Sequence, residues 1–198
     1  MDFDEIFGDQ RLMAILRGMP PDETVALADR LWDAGVTVLE IPIGTAGAVD
    51  SLRAAVQAAS ARGLRVGAGT VITPAQAQAA ADAGARYTVA PGLDLSVLAA
   101  SLAAGLPHLP GVGTASEVQR ARAAGCRWLK AFPAKALGAA WIAAMHGPFP
   151  DVRFVATGGL RIADAEPFLA AGASVVALGA ALADPEQLTA VGDLLRSR

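Results

Sequence analysis

Seven times along this chain a small-residue turn built around glycine stands just ahead of an apolar stretch. Asp33-Ala34-Gly35 precedes Val36-Thr37-Val38-Leu39, Ala61-Arg62-Gly63 precedes Leu64-Arg65-Val66, and Asp82-Ala83-Gly84 precedes Ala85-Arg86-Tyr87-Thr88-Val89. Ala103-Ala104-Gly105, Ala123-Ala124-Gly125, His146-Gly147-Pro148 and Ala170-Ala171-Gly172 repeat the pattern before Leu106, Cys126, Val152 and Ala173. Glycine tolerates the left-handed conformation that closes a helix, and the alanine-rich segments ahead of these turns are good helix formers. A helix therefore precedes each strand.

Start signals agree with that reading. Pro20-Pro21-Asp22-Glu23, Thr73-Pro74, Asp94 and Thr114-Ala115-Ser116-Glu117 each suit the first turn of a helix, the last as a capping box. One further strand, Arg11 to Leu16, follows a short N-terminal helix from Asp2 to Gly8. The count is eight strands, each followed by a helix, the last helix spanning Asp184 to Arg196. Strand–helix alternation gives parallel pairing with helices outside. Eight units predict an α/β chain folded as a single (β/α)8 TIM barrel over residues 1–198, with the short helix in front. An open doubly wound sheet is the alternative. Gly67-Ala68-Gly69-Thr70 follows a strand but does not complete the glycine pattern of a dinucleotide turn.

Three charged residues end otherwise apolar strands: Arg17, Glu40 and Lys130. Residues two apart share a strand face, so Arg17 goes with Ile15, Glu40 with Val38, and Lys130 with Trp128 and Phe132. If those faces point inward, a guanidinium, a carboxylate and an amine converge at the C-terminal mouth, where barrel chemistry resides. The alternative is a buried structural ion pair of Glu40 with Lys130 or Arg17. The chain has only two lysines, Lys130 and Lys135, against fourteen arginines. Arginine replaces lysine wherever a cation suffices, but not where a neutral amine must attack a carbonyl. Desolvation by Trp128, Leu129 and Phe132 favours the neutral amine at Lys130. Lys135, beyond Pro133, reads as a solvated charge or a weak anion contact.

Hydrophobic residues make up 54% of the 198, ample for one core. Net charge is −3 with no basic run, which argues against a nucleic-acid partner. The single cysteine, Cys126, fits a reducing compartment and a buried role. His108 and His146 stand apart, so no metal site is expected. No apolar run is long enough to span a membrane and the N-terminus is acidic, so a soluble cytoplasmic protein is expected.

Two glycine turns, Thr157-Gly158-Gly159 and Gly179-Ala180, follow the last two strands. In barrels those loops commonly cradle phosphate with backbone N–H groups. With Ala14-Ile15-Leu16-Arg17-Gly18, Leu39-Glu40-Ile41-Pro42, Gly67-Ala68-Gly69-Thr70-Val71, Ala90-Pro91-Gly92, Pro110-Gly111-Val112, Leu129-Lys130-Ala131-Phe132-Pro133-Ala134 and Gly147-Pro148-Phe149-Pro150, they form an ordered set from Leu12 to Leu182. That set resembles the 2-keto-3-deoxy-6-phosphogluconate (KDPG) aldolase family, whose relatives act on the phosphogalactonate analogue and on 4-hydroxy-2-oxoglutarate (KHG).

The resemblance implies a metal-free class I aldolase without cofactor, usually a homotrimer, acting on a small, commonly phosphorylated 2-oxo acid. Lys130 matches the Schiff-base lysine and Glu40 the general acid/base. Arg17 and Thr70 match positions that contact the pyruvyl carboxylate. Pro91 and Phe132 match pocket-shaping residues, and Gly158, Gly159, Gly179 and Ala180 the phosphate turns. Three positions depart from the family pattern. Gly44 stands where many members have arginine, Ala180 where serine is common, and Lys135 where glutamate is common. A phosphosugar isomerase or synthase barrel, and a phosphosugar sensor without turnover, are the competing expectations.

Overall fold

The computed structural model describes residues 2–179 together with Leu182 and Val191. Apart from Val191, the predicted last helix lies outside these residues, as does Ala180. Nine parallel strands are present among them: β1 (Leu12–Ile15), β2 (Val38–Pro42), β3 (Arg65–Gly69), β4 (Thr88–Val89), β5 (His108–Leu109), β6 (Gly111–Val112), β7 (Trp128–Ala131), β8 (Arg153–Thr157) and β9 (Val175–Leu178). Their order is β5-β4-β3-β2-β1-β9-β8-β7-β6. The strands β5 and β6 are one extended segment cut at Pro110. Its first half pairs with β4 and its second with β7, which closes the ring. Proline has no N–H to give the ladder, so eight predicted strands appear as nine pieces.

The outer layer consists of α2 (Pro21–Asp33), α3 (Ala48–Ala61), α4 (Pro74–Asp82), α5 (Leu95–Ala103), α6 (Ala115–Ala123), α7 (Ala134–Leu137), α8 (Ala139–His146) and α9 (Ala165–Ala170). The expected caps form. Thr73 accepts from the Gln76 N–H, Asp94 from the N–H groups of Ser96 and Val97, and Thr114 from the Glu117 N–H. Six of the seven turn glycines take positive φ, from +68° at Gly63 to +101° at Gly172. The exception is Gly147, at −56°, where α8 ends without a left-handed residue.

Two cores follow from strand alternation. Outward residues such as Leu39, Ile41, Ala68, Leu129 and Ala156 meet the helices. Inward residues Met13, Val38, Tyr87, Val89, Leu109, Trp128, Val155, Val175 and Ala177 fill the barrel. The N-terminal α1 (Phe3–Phe7) plugs its N-terminal end: Phe7 stacks on Trp128 at 4.6 Å between ring centroids, and the Trp128 indole N–H donates to Asp4. The opposite, C-terminal mouth is left to polar side chains.

One buried polar relay lies in the wall. Ser101 donates to the Leu106 carbonyl, and its Oγ lies 2.5 Å from Thr88 Oγ1, which in turn lies 2.8 Å from His108 Nδ1. With Ser101 donating to the carbonyl, the Thr88 hydroxyl donates to Ser101 and His108 Nδ1–H donates to Thr88. That tautomer leaves Nε2 as a lone-pair acceptor with no partner among the described residues. Burial, slightly offset by the Asp94 charge, lowers the His108 pKa from 6.5 to about 4. Through this window the unfolded chain binds a proton that folded His108 refuses, so stability falls as pH drops from 6.5 to about 4. The loss amounts to about 3 kcal/mol. Urea unfolding across that range should show it in the wild type and a shallower fall in His108→Leu; parallel curves would remove His108 as the cause.

Candidate active site

The strands β2 and β7 face each other across the barrel axis, since β1, β9 and β8 separate them on one side of the ring. Glu40 on β2 and Lys130 on β7 both point inward and reach over the axis from opposite walls. Glu40 Oε1 and Lys130 Nζ stand 3.8 Å apart, with 1% and 5% of their side chains exposed. That is ion-pair range but too long for a hydrogen bond. Neither Glu40 oxygen has a hydrogen-bond partner among the described residues. Burying a charged pair without completing its hydrogen bonds is costly, and such arrangements concentrate at functional sites. The Phe132 ring completes the amine's surroundings, its centroid 5.3 Å from Nζ.

The glycines of Gly67-Ala68-Gly69 serve differently from the sequence expectation: they lie within β3, not after it, and face inward. A Cβ at Gly67 would overlap the Tyr87 ring, and one at Gly69 would overlap the Glu40 carboxylate. Two residues without side chains thus create the volume that Tyr87 and Glu40 occupy. Tyr87 donates to the Leu39 carbonyl at 2.6 Å. Its phenol pKa is raised well above 10, first by burial and then by the Glu40 charge, so it remains a donor. The chain's only tyrosine escaped the sequence reading; its alternation with Val89 on an inward strand face was the available signal.

At the rim, the Arg17 guanidinium donates to Thr70 Oγ1 at 3.3 Å, and Arg17 is solvent-exposed. Thr70 has φ +56°, the only left-handed non-glycine among the described residues. Such a conformation costs about 1–3 kcal/mol and persists where the surroundings enforce it. Gly44 is part of those surroundings: a Cβ there would lie 2.9 Å from the Thr70 methyl. The bare backbone at Gly44 thus leaves room for the Thr70 methyl. Pro91 is half-buried, its carbonyl pressed against Gly111. On the other side the Phe132 ring packs on Gly158, where a Cβ would stand 3.0 Å from the ring edge. Gly179 is half-buried and borders Ile15. Thr157, not singled out from the sequence, is a buried hydroxyl at the end of β8. A cleft of about 390 Å³ opens beside this mouth, lined by Leu16, Gly18, Pro42, Thr45 and Ser51. Neither Lys130 nor Glu40 lines it.

The sequence profile of KDPG and KHG aldolases matches residues 3–194. The chain belongs to this family. It is 36% identical over 178 residues to a probable 2-dehydro-3-deoxy-6-phosphogalactonate aldolase of Rhizobium meliloti, covering 89% of this chain and 84% of that one. Among solved structures, a 4-hydroxy-2-oxoglutarate/2-dehydro-3-deoxyphosphogluconate aldolase from TTHB1 superposes with TM-score 0.87 at 35% identity, covering 98% of this chain and 99% of that one. A KDPG aldolase from Legionella pneumophila, captured with pyruvate as a covalent carbinolamine at low pH, superposes with TM-score 0.84 at 28% identity over 97% and 95% of the two chains. Its members are aldolases, carbon–carbon lyases, and the barrel seen here is the fold of these KDPG and KHG aldolases.

Proposed function

We propose that this protein cleaves KDPG to pyruvate and glyceraldehyde 3-phosphate through an imine on Lys130. The observation that carries the reading is the buried meeting of the Lys130 amine and Glu40 carboxylate at 3.8 Å. The unprotonated amine adds to the C2 carbonyl, giving a carbinolamine. Glu40, directly or through water, protonates the departing hydroxyl, and a protonated imine forms. Glu40 then removes the C4 hydroxyl proton. The C3–C4 bond breaks, its electron pair flows into the imine, and the aldehyde leaves. Protonation of the resulting enamine at C3 and hydrolysis release pyruvate and restore the amine. Arg17 and Thr70 hold the substrate carboxylate and set the carbonyl against Nζ, with Pro91 and Phe132 walling the pocket.

The decisive experiment compares pyruvate release from four substrates: KDPG, its galactonate epimer, the unphosphorylated acid and KHG. The highest kcat/KM is expected on KDPG. A higher value on the epimer or on KHG replaces the substrate but keeps the chemistry, and no release from any of the four rejects the aldolase reading. The same preparation should sediment as a trimer; a monomer mass rejects that part.

A further inference from the structure

Lys135, read from the sequence as a solvated charge or a weak anion contact, is a half-exposed cation with a fixed partner. Its N–H donates to the Gly158 carbonyl at 3.0 Å, which ties it to the glycine turn after β8. Its stem lies over the next residue: a Cβ on Gly159 would be 3.1 Å from Lys135 Cβ. Its ammonium donates to Asp164 Oδ1 at 2.7 Å, while Asp164 Oδ2 accepts the Arg161 N–H at 2.9 Å. The two partners differ in freedom, for the lysine side chain is 53% exposed and the aspartate 20%. Asp164 is the fixed post and Lys135 the arm that can turn. The contacts also form a path from the reacting amine: Lys130 Nζ faces the Phe132 ring, that ring packs on Gly158, and Gly159 carries Lys135.

We propose that Lys135 determines specificity for substrates ending in a phosphate. It holds its ammonium at the edge of the Gly158–Gly159 turn and shares it between Asp164 and the substrate's terminal dianion. This rests on the aldolase reading and refines it. From Lys130 the contacts run past Phe132 to the Gly158–Gly159 turn, where Lys135 brings a cation on a flexible stem. A phosphate dianion gains more from that cation than a single carboxylate or a neutral hydroxyl does.

The test is the ratio of kcat/KM for KDPG to that for the unphosphorylated acid, in the wild type, Lys135→Met and Lys135→Arg. Methionine keeps the stem over Gly159 and removes only the charge. The ratio should fall about tenfold in Lys135→Met, the lower end for a charge-assisted contact at a half-exposed site, and recover in Lys135→Arg. Added salt should erode the ratio of the wild type and not that of Lys135→Met. A ratio equal in wild type and Lys135→Met, or equal losses on both substrates, overturns the assignment while the aldolase reading stands. A wild type that releases pyruvate from neither substrate overturns both.

Discussion

Lys130→Arg should lose pyruvate release by a factor on the order of 10⁶, the scale seen when a covalent nucleophile is removed. Arginine is the informative replacement because it preserves the cation. Glu40 is 1% exposed and has Lys130 Nζ as its nearby charge at 3.8 Å. Replacing the lysine by an apolar residue would leave a buried carboxylate alone, at about 3–5 kcal/mol, and a dead variant could then be an unfolded one. Guanidinium keeps the charge opposite Glu40 but forms no imine with a carbonyl. The extra volume costs about 1–3 kcal/mol, so circular dichroism should still report a folded barrel. In the wild type, borohydride with pyruvate should leave the three-carbon unit on Lys130 as a secondary amine. Lys135 and the α-amino group are the only other amines in the chain, so peptide mapping is unambiguous. An adduct on Lys135, or appreciable turnover in Lys130→Arg, would remove Lys130 from the reaction.

Much of the architecture was legible because its signals are local. Caps at Thr73, Asp94 and Thr114 need only a hydroxyl or carboxylate three residues or fewer from an N–H, and the turn glycines need only their own φ. Strand limits were less legible. Val36 to Leu39 reads as a strand, yet the ladder runs from Val38 to Pro42, because pairing with Arg65 to Gly69 decides where hydrogen bonds begin. Glu40 thus sits mid-strand rather than at its end. The facing of Glu40 and Lys130 was readable from period-two alternation; their meeting was not, since it depends on β2 and β7 lying opposite in the closed ring. The glycines at 67 and 69 were misread for a related reason. Their purpose is the space they give Tyr87 and Glu40, residues remote or on another strand. At Lys135 the solvated charge or anion contact was legible but its partner was not: Asp164 is 29 residues away and becomes a neighbour only through the barrel.

Glu40→Gln should retain the fold and slow turnover by roughly 10²- to 10⁴-fold, the usual loss when a general acid/base is removed. Glutamine has nearly the same shape, so it fits against Gly69, where nothing larger than a hydrogen is accommodated. What disappears is a group that can take and return a proton beside Nζ. Two steps of the proposed cycle need that group, so two readouts should fall together: pyruvate release from KDPG, and exchange of pyruvate methyl protons into deuterated water. The second matters because exchange involves no aldehyde and no distal contact, leaving only imine, enamine and proton carrier. If Glu40 were merely the structural partner of Lys130, the variant would behave in the reverse way. Exchange and cleavage would persist near wild-type rates, whatever the loss of the buried pair does to unfolding free energy. Measuring both rates in one variant separates the two roles of the carboxylate, because a proton carrier slows exchange and cleavage together and a counter-ion alone slows neither.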